Sequence, residues 1–267
     1  MPLNARRHLR KMRGGAQAHL LEAGDGHFYV VKFRNNPQHR RILTNELIAS
    51  KLLGHLGLSA PETAIVTVTR EFLDANPDVA FQFGGKAAPV EPGRHFGSRF
   101  PGNPETLAVY DFLPDALLPS VRNIQDILGA LVFDKWVANS DSRQAVFHRT
   151  REDGMAHFVC RLIDHGFAFN GPHWDYPDSP VQGLYHRKLV YASVRSLDDF
   201  QPWLDRTLHF PESVIDEAYR GVPREWLEAE DEAALEQLLE RLLRRRKRVP
   251  DLLSDCREAR TNPFPFW

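Results

Sequence analysis

The sequence holds two cysteines, Cys160 and Cys256, far apart and outside any C-x-x-C arrangement. That spacing excludes a disulfide framework or a thiolate zinc site as the organising principle. No run approaches the roughly 20 apolar residues that a membrane-crossing helix needs. The basic N-terminus, MPLNARRHLRKMRGG, is not followed by the apolar stretch of a secretory signal. Net charge is almost absent as well: 34 Lys and Arg stand against 35 Asp and Glu. This balance excludes a nucleic-acid coat or a membrane-surface protein held by bulk charge. The 12 histidines are scattered and form no H-x-x-x-H pair with a third ligand. Ser142 lacks the G-x-S-x-G elbow of a serine hydrolase. These absences leave a globular chain for which cytoplasmic residence is the expectation.

With 267 residues and 42% hydrophobic side chains, the chain can bury a large core as one domain or as two lobes around a cleft. Residues 13–33 read as a β-hairpin. Leu20 and Leu21 lead into the turn Ala23-Gly24-Asp25-Gly26, and His27 to Phe33 is rich in β-branched and aromatic residues. On that strand Phe28, Val30 and Lys32 share one face, while Tyr29, Val31 and Phe33 share the other. Lys32 therefore sits among apolar neighbours. The stripe Leu47, Ile48, Leu52, Leu53 and Leu56 predicts a helix over 44–56, with Thr44 as N-cap and Gly57 as C-cap. A strand over Ala64–Thr69 follows Pro61. Residues 74–106, rich in Gly, Pro and charge, read as a long connection between lobes with room for a short strand.

The spacing of Ile124, Ile127, Leu128, Leu131 and Val132 predicts a helix over 124–138, with Asn123 as cap and Asp126 as its reciprocal partner. It ends in the polar turn 139–144. Phe158–Ile163 reads as a strand, stopped by Asp164-His165-Gly166. The remainder reads as mostly helical, most clearly over 231–248. The arginine-rich stretch 241–248 reads as a solvated helix face or as a docking patch, and the aromatic tail 262–267 as packed onto its own domain. Strands and one helix come first and helices follow, which is an α+β order in two lobes and not a βαβ repeat.

Four features then fall in one order, and each suits a separate job in phosphoryl transfer. Small residues before a strand, Gly14-Gly15-Ala16-Gln17, let backbone N–H groups approach phosphate oxygens. A strand lysine, Lys32, can neutralise the α- and β-phosphates. A helix glutamate, Glu46, can hold that lysine, because an unpaired ammonium on a half-buried face is costly. Asp141, in a loop after a helix, can orient a hydroxyl and accept its proton. Asp164, directly after an apolar strand, can coordinate Mg²⁺ that bridges the phosphates. Each feature alone also has a plain structural reading: a turn, a snorkelling lysine, a dipole-facing glutamate, a helix-end aspartate. The joint order favours the chemistry.

These residues resemble the HipA-family kinases. The resemblance rests on Gly14-Gly15-Ala16-Gln17, Tyr29-Val30-Val31-Lys32-Phe33, Asn45-Glu46, Leu56-Gly57-Leu58 with Pro61, Trp136-Val137-Ala138-Asn139-Ser140-Asp141 and Ile163-Asp164, and it covers roughly residues 12–170. It implies a bilobal protein-kinase-like fold, with a small β-rich N-lobe over 12–100 and a mainly helical C-lobe over 101–267. It also implies ATP and Mg²⁺ as cofactors and a serine or threonine of a protein as acceptor. Gly14 to Gln17 would form the phosphate loop, Lys32 with Glu46 would meet the nucleotide, Asp141 would be the catalytic base and Asp164 the metal ligand. His95 to Arg99 would lie near the adenine.

The sequence departs from the family pattern at Val146, where an asparagine usually supplies a second metal ligand; Gln144 is the nearest amide that can serve. His165 follows the metal aspartate, and little sequence precedes Gly14 for the partner-binding subdomain of full-length HipA toxins. The resulting expectation is an ATP-dependent phosphotransferase acting on a hydroxyl, with no membrane and no direct nucleic-acid partner and with the antitoxin partner open. The alternatives are a nucleotide-binding pseudokinase that acts as an interaction module, and a small-molecule kinase.

Overall fold

The computed structural model describes residues 3–152 and 155–267. Met1 and Pro2 of the basic N-terminal segment, and Asp153 and Gly154 within the embedded hairpin, lie outside the described residues. The basic segment itself forms strand β1 (Leu3–Lys11), which the sequence reading did not anticipate. Its charges face outward, while Leu3 and Ala5 pack against the interior. The hairpin follows as β2 (His19–Ala23) and β3 (Phe28–Lys32). Helix α1 (Arg41–Leu56) starts three residues before the predicted boundary, so Thr44 is a buried helix-interior residue and not its cap. The predicted apolar stripe is buried, and α1 ends at Gly57 in the left-handed conformation expected of a C-cap (φ 75°).

The region read as a connection is largely structured. After β4 (Thr63–Val68), Thr69 caps the short α2 (Arg70–Ala75) through its hydroxyl, which accepts the Phe72 N–H at 3.2 Å. The hairpin β5 (Ala80–Phe83) and β6 (Lys86–Pro89) leads into β7 (Gly93–Arg99). Strands pair in the order β1-β2-β3-β7-β4, and β1 meets β4 in parallel to close a barrel. Gly and Pro density misled the reading here, because closure needs tight turns between short strands. Gly97 is one example: a Cβ there would lie 2.7 Å from Val66 Cγ2. Tyr29, Val31 and Phe33 fill the barrel, which leaves Lys32 on the opposite face.

The C-terminal part is built on α3 (Asp126–Val137), buried along almost its whole length. Strand β8 (Val109–Tyr110) precedes it and pairs with β9 (Gln144–Glu152), which pairs with β10 (Met155–Ile163). Asn123 does not cap α3. Its amide bonds both backbone groups of Cys160 at 2.9 Å and the Asp126 carboxylate at 2.8 Å, tying the helix start to β10. Residues 164–202 are turns and short 3-10 segments where helix was expected, and α4 (Trp203–Leu208), α5 (Glu212–Arg220), α6 (Asp231–Arg245) and α7 (Val249–Glu258) complete the chain.

The arginine run is in part the solvated face expected: Arg241, Arg244, Lys247 and Arg248 are exposed, whereas Arg245 and Arg246 are half-buried. Arg241 donates to the Trp174 carbonyl, Arg245 to the terminal carbonyls of α3 and Arg246 to the Phe210 carbonyl, while Arg245 and Arg248 share Asp178. Arg244 pairs with Glu240 on the exposed side of the helix. The tail folds back as expected: Phe264 is 1% exposed and stacks edge-on against Tyr191 and Phe200, whereas Phe266 is 62% exposed. Phe264→Ala is expected to cost about 3–5 kcal/mol, the range for truncating a buried phenylalanine. Phe266→Ala is expected to stay within about 0.5 kcal/mol. Urea unfolding of the two variants measures the contrast, and equal losses would show that the tail is not part of the core.

Candidate active site

Lys32 is the last residue of β3, on the face turned away from the barrel interior, and is 8% exposed. Its Nζ donates to Glu46 Oε1 of α1 and to Asp164 Oδ1 at 2.8 Å, after the end of β10. Burial alone would lower the Lys32 pKa, but the two carboxylates outweigh it and the ammonium is held above its ordinary value. Burial pushes the Asp164 carboxyl up, yet Lys32 more than reverses this and keeps it below the usual range. Glu46 is raised, because its desolvation exceeds the help it receives from Lys32.

The backbone is bent to make this contact. Asp164 adopts φ 58°, a left-handed conformation that aspartate tolerates better than most residues. Gly166 then passes so close to α1 that a Cβ would lie 2.5 Å from Ile42 Cγ2. Asn45, one residue before Glu46, fastens this turn. Its Nδ2 donates to the carbonyls of Gly166, Ala168 and Gly171 at 2.7–3.0 Å, and its Oδ1 accepts the Trp174 indole N–H at 2.8 Å. Arg41 adds a bond to the Pro172 carbonyl and stacks on Trp174 at 4.2 Å.

Asp141 stands in the loop after α3, half-buried. Its Oδ1 accepts the Ser142 N–H at 2.7 Å and its Oδ2 the Gln144 Nε2 at 3.3 Å. The loop is anchored by Arg143, which makes a fully buried two-pronged ion pair with Asp134 of α3. Arg143 also donates to the Ile163 carbonyl at 3.0 Å and lies 2.9 Å from His165 Nδ1, so one guanidinium joins the Asp141 loop to the Asp164 turn. His165 stays neutral, since burial and Arg143 both lower its pKa. From the other side, Lys135 donates to the carbonyls of Ser179, Pro180 and Gln182, and Gly183 N–H bonds the Asp141 carbonyl at 3.2 Å.

Gln144 is the first residue of β9 and pairs in register with Ile163, next to Asp164. Its Nε2 is turned to Asp141, and Asp164 Oδ2 accepts no hydrogen bond from the described residues. A carboxylate oxygen and an amide oxygen are the hard donors that Mg²⁺ takes, with water completing its shell. The residues present therefore fit that ion. The Gly14–Gln17 loop joins β1 to β2, with Gly14 at φ 118° and Gln17 at φ 48°. The Gln17 side chain is spent on the Gln82 backbone of β5, accepting at 2.7 Å and donating at 3.0 Å.

The structure thus joins Lys32, Glu46 and Asp164 directly, and Asp141 with Gln144. It links the two groups through Arg143 and the β9–β10 pairing. Sequence reasoning missed Asp134, Arg143 and the role of Asn45. A signal existed for Asp134, a charge inside the apolar run 127–137.

Comparison with solved structures shows a kinase fold at low identity. A Helicobacter pylori proinflammatory kinase, CtkA, aligns over 96% of this chain and 98% of its own, with a TM-score of 0.59 and 14% identity. The HipA of a Shewanella oneidensis toxin–antitoxin complex with HipB and operator DNA aligns over 86% of this chain and 60% of its own (TM-score 0.51, 14% identity). The Golgi casein kinase with Mn/ADP bound aligns over 97% and 73% (TM-score 0.50, 12% identity). No curated protein sequence matches the chain. A family model described as HipA-like kinase matches residues 7–251, and by that match the chain belongs to the HipA-like kinase family.

Proposed function

We propose that the chain transfers the γ-phosphoryl group of ATP to a hydroxyl, with a serine or threonine of a protein as acceptor. The observation that carries this reading is the buried Lys32 ammonium held between Glu46 and Asp164. Two carboxylates around one cation leave a net negative pocket, which a structural ion pair does not need and a metal–phosphate ligand balances. Lys32 neutralises the α- and β-phosphate oxygens, and the Gly14–Gln17 backbone closes over them. Asp164 and Gln144 would hold Mg²⁺, whose charge offsets that developing on the phosphate oxygens. Asp141 aligns the acceptor hydroxyl and takes its proton as the new O–P bond forms and the bond to the β-phosphate oxygen breaks. Most of the rate comes from positioning and electrostatics. The kinase family and fold support the phosphotransferase class. Serine/threonine acceptance is the finer part of the proposal.

Asp141→Ala and Asp164→Ala are each expected to lower phosphoryl transfer by on the order of 10²–10⁴-fold, with the melting curve retained. Labelled ATP with purified protein, alone and then with a protein lysate, measures this. Turnover that survives both changes would remove these residues from the mechanism, and Mg²⁺-dependent ATP binding with no transfer to any acceptor would identify an interaction module. Gln144→Ala is expected to raise the Mg²⁺ concentration for half-maximal activity by about tenfold, the scale of lost ligand support. An unchanged Mg²⁺ titration would exclude Gln144 from the metal site.

A further inference from the structure

The β9–β10 pair has two faces of different character. Ala145, Phe147, Cys160 and Leu162 lie on one, 0–6% exposed in the core. Gln144, Val146 and His148 of β9, and Ile163 and Arg161 of β10, alternate onto the other. That second face carries Gln144 beside Asp141 and ends at Asp164 beside Lys32, so it is a wall of the proposed nucleotide cleft. Arg161 lies directly opposite Val146, and His148 is its diagonal neighbour across the strands. The guanidinium of Arg161 makes no hydrogen bond or ion pair with the described residues, and its Nε is buried without a partner. The imidazole of His148 is 8% exposed, and its Nδ1 is likewise buried and unpartnered. Burial, together with the nearby Arg161 charge, lowers the His148 pKa and keeps the ring neutral. Every other buried arginine or lysine described above has a carboxylate or carbonyl to meet. Leaving these polar atoms unmet costs free energy that a ligand recovers.

Position decides which part of the ligand they meet. Arg161 is three residues from Asp164, about 10 Å along the strand from the Lys32–Asp164 contact. His148 pairs with Val109 of β8, at the end of the segment that leads from the barrel strand β7. The pair therefore lies between the phosphate end and the inter-part link, where the base of a nucleotide anchored at Lys32 comes to rest. We propose that Arg161 and His148 form a base-edge subsite that accepts guanine, so that GTP serves as phosphoryl donor alongside ATP. A guanidinium offers only donors. Guanine presents two adjacent acceptors, O6 and N7, whereas adenine sets an amino donor beside its N7. The neutral imidazole adds one donor and one acceptor for the remaining edge.

This subsite rests on the phosphotransferase reading. The test is Mg²⁺-dependent binding of fluorescent ATP and GTP analogues, followed by kcat/KM for both nucleotides, with wild type, Arg161→Met and Arg161→Lys. Wild type is expected to bind the two nucleotides within about tenfold of each other. Arg161→Met should lose about tenfold or more for GTP, the scale of one bidentate pair, and less than about threefold for ATP. Arg161→Lys keeps the charge but not the fork, so it should lose GTP selectively even if the methionine variant fails to fold. Equal losses for both nucleotides would place Arg161 at the phosphates, and a wild type that rejects GTP would also overturn the subsite. If wild type binds neither nucleotide, the phosphotransferase reading itself fails and takes the subsite with it.

Discussion

One ammonium group holds the site together. Lys32 joins a barrel strand, a helix glutamate and an aspartate 132 residues further along the chain. Removing it would leave two buried or half-buried carboxylates facing one another, a loss of the kind that costs about 3–5 kcal/mol in buried pairs. The surrounding geometry follows from the need to bring three distant segments to this atom. Closure of the barrel fixes Lys32 on its outer face. The Asp164 turn accepts a left-handed backbone, and Gly166 makes room for the helix that brings Glu46. A strand, a helix and a tight turn thus fix three distant side chains within hydrogen-bond reach of one another.

Around that contact the fastening is polar and buried. Asn45 holds the segment after Asp164 to the same helix that presents Glu46, so α1 and the Asp164 turn are fastened together. Arg143 and Asp134 do the same for the Asp141 loop. Each of these groups meets almost its full complement of partners, and this is what makes buried polar networks rigid instead of merely costly. Arg245 of α6 serves similarly, meeting the last carbonyls of α3 and Asp178. No described helix is long and apolar enough to cross a membrane.

Much of the fold was legible where periodicity is strong. The alternation around Lys32 placed Tyr29, Val31 and Phe33 inside the barrel, and the leucine stripe of α1 and the α3 spacing named the buried faces correctly. Boundaries were less legible. Thr44 and Asn123 have the chemistry of N-caps, but tertiary contacts claimed them for other work, inside α1 and across to Cys160. Three strands occupy 74–106 where room for one short strand was read, and the basic strand β1 was not anticipated, because short strands with tight turns carry little alternation and many glycines. The helix expected over 164–202 gave way to turns, since this stretch must supply backbone carbonyls to Asn45 and Lys135.

The sequence by itself determined the order of chemical parts: small residues, strand lysine, helix glutamate, loop aspartate and strand-end aspartate, together with the apolar faces that bury each element. These are local properties, encoded in spacing and side-chain type. Tertiary structure alone decided which groups touch. It set Gln144 opposite Ile163, the residue before Asp164, through strand register, chose Asn45 and Arg143 as fasteners, and left Arg161 Nε and His148 Nδ1 without partners on one face of the β9–β10 pair. The Lys32–Asp164 and Asn45–Gly166 contacts span more than a hundred residues, so they depend on the path of the whole chain, and no local pattern records them.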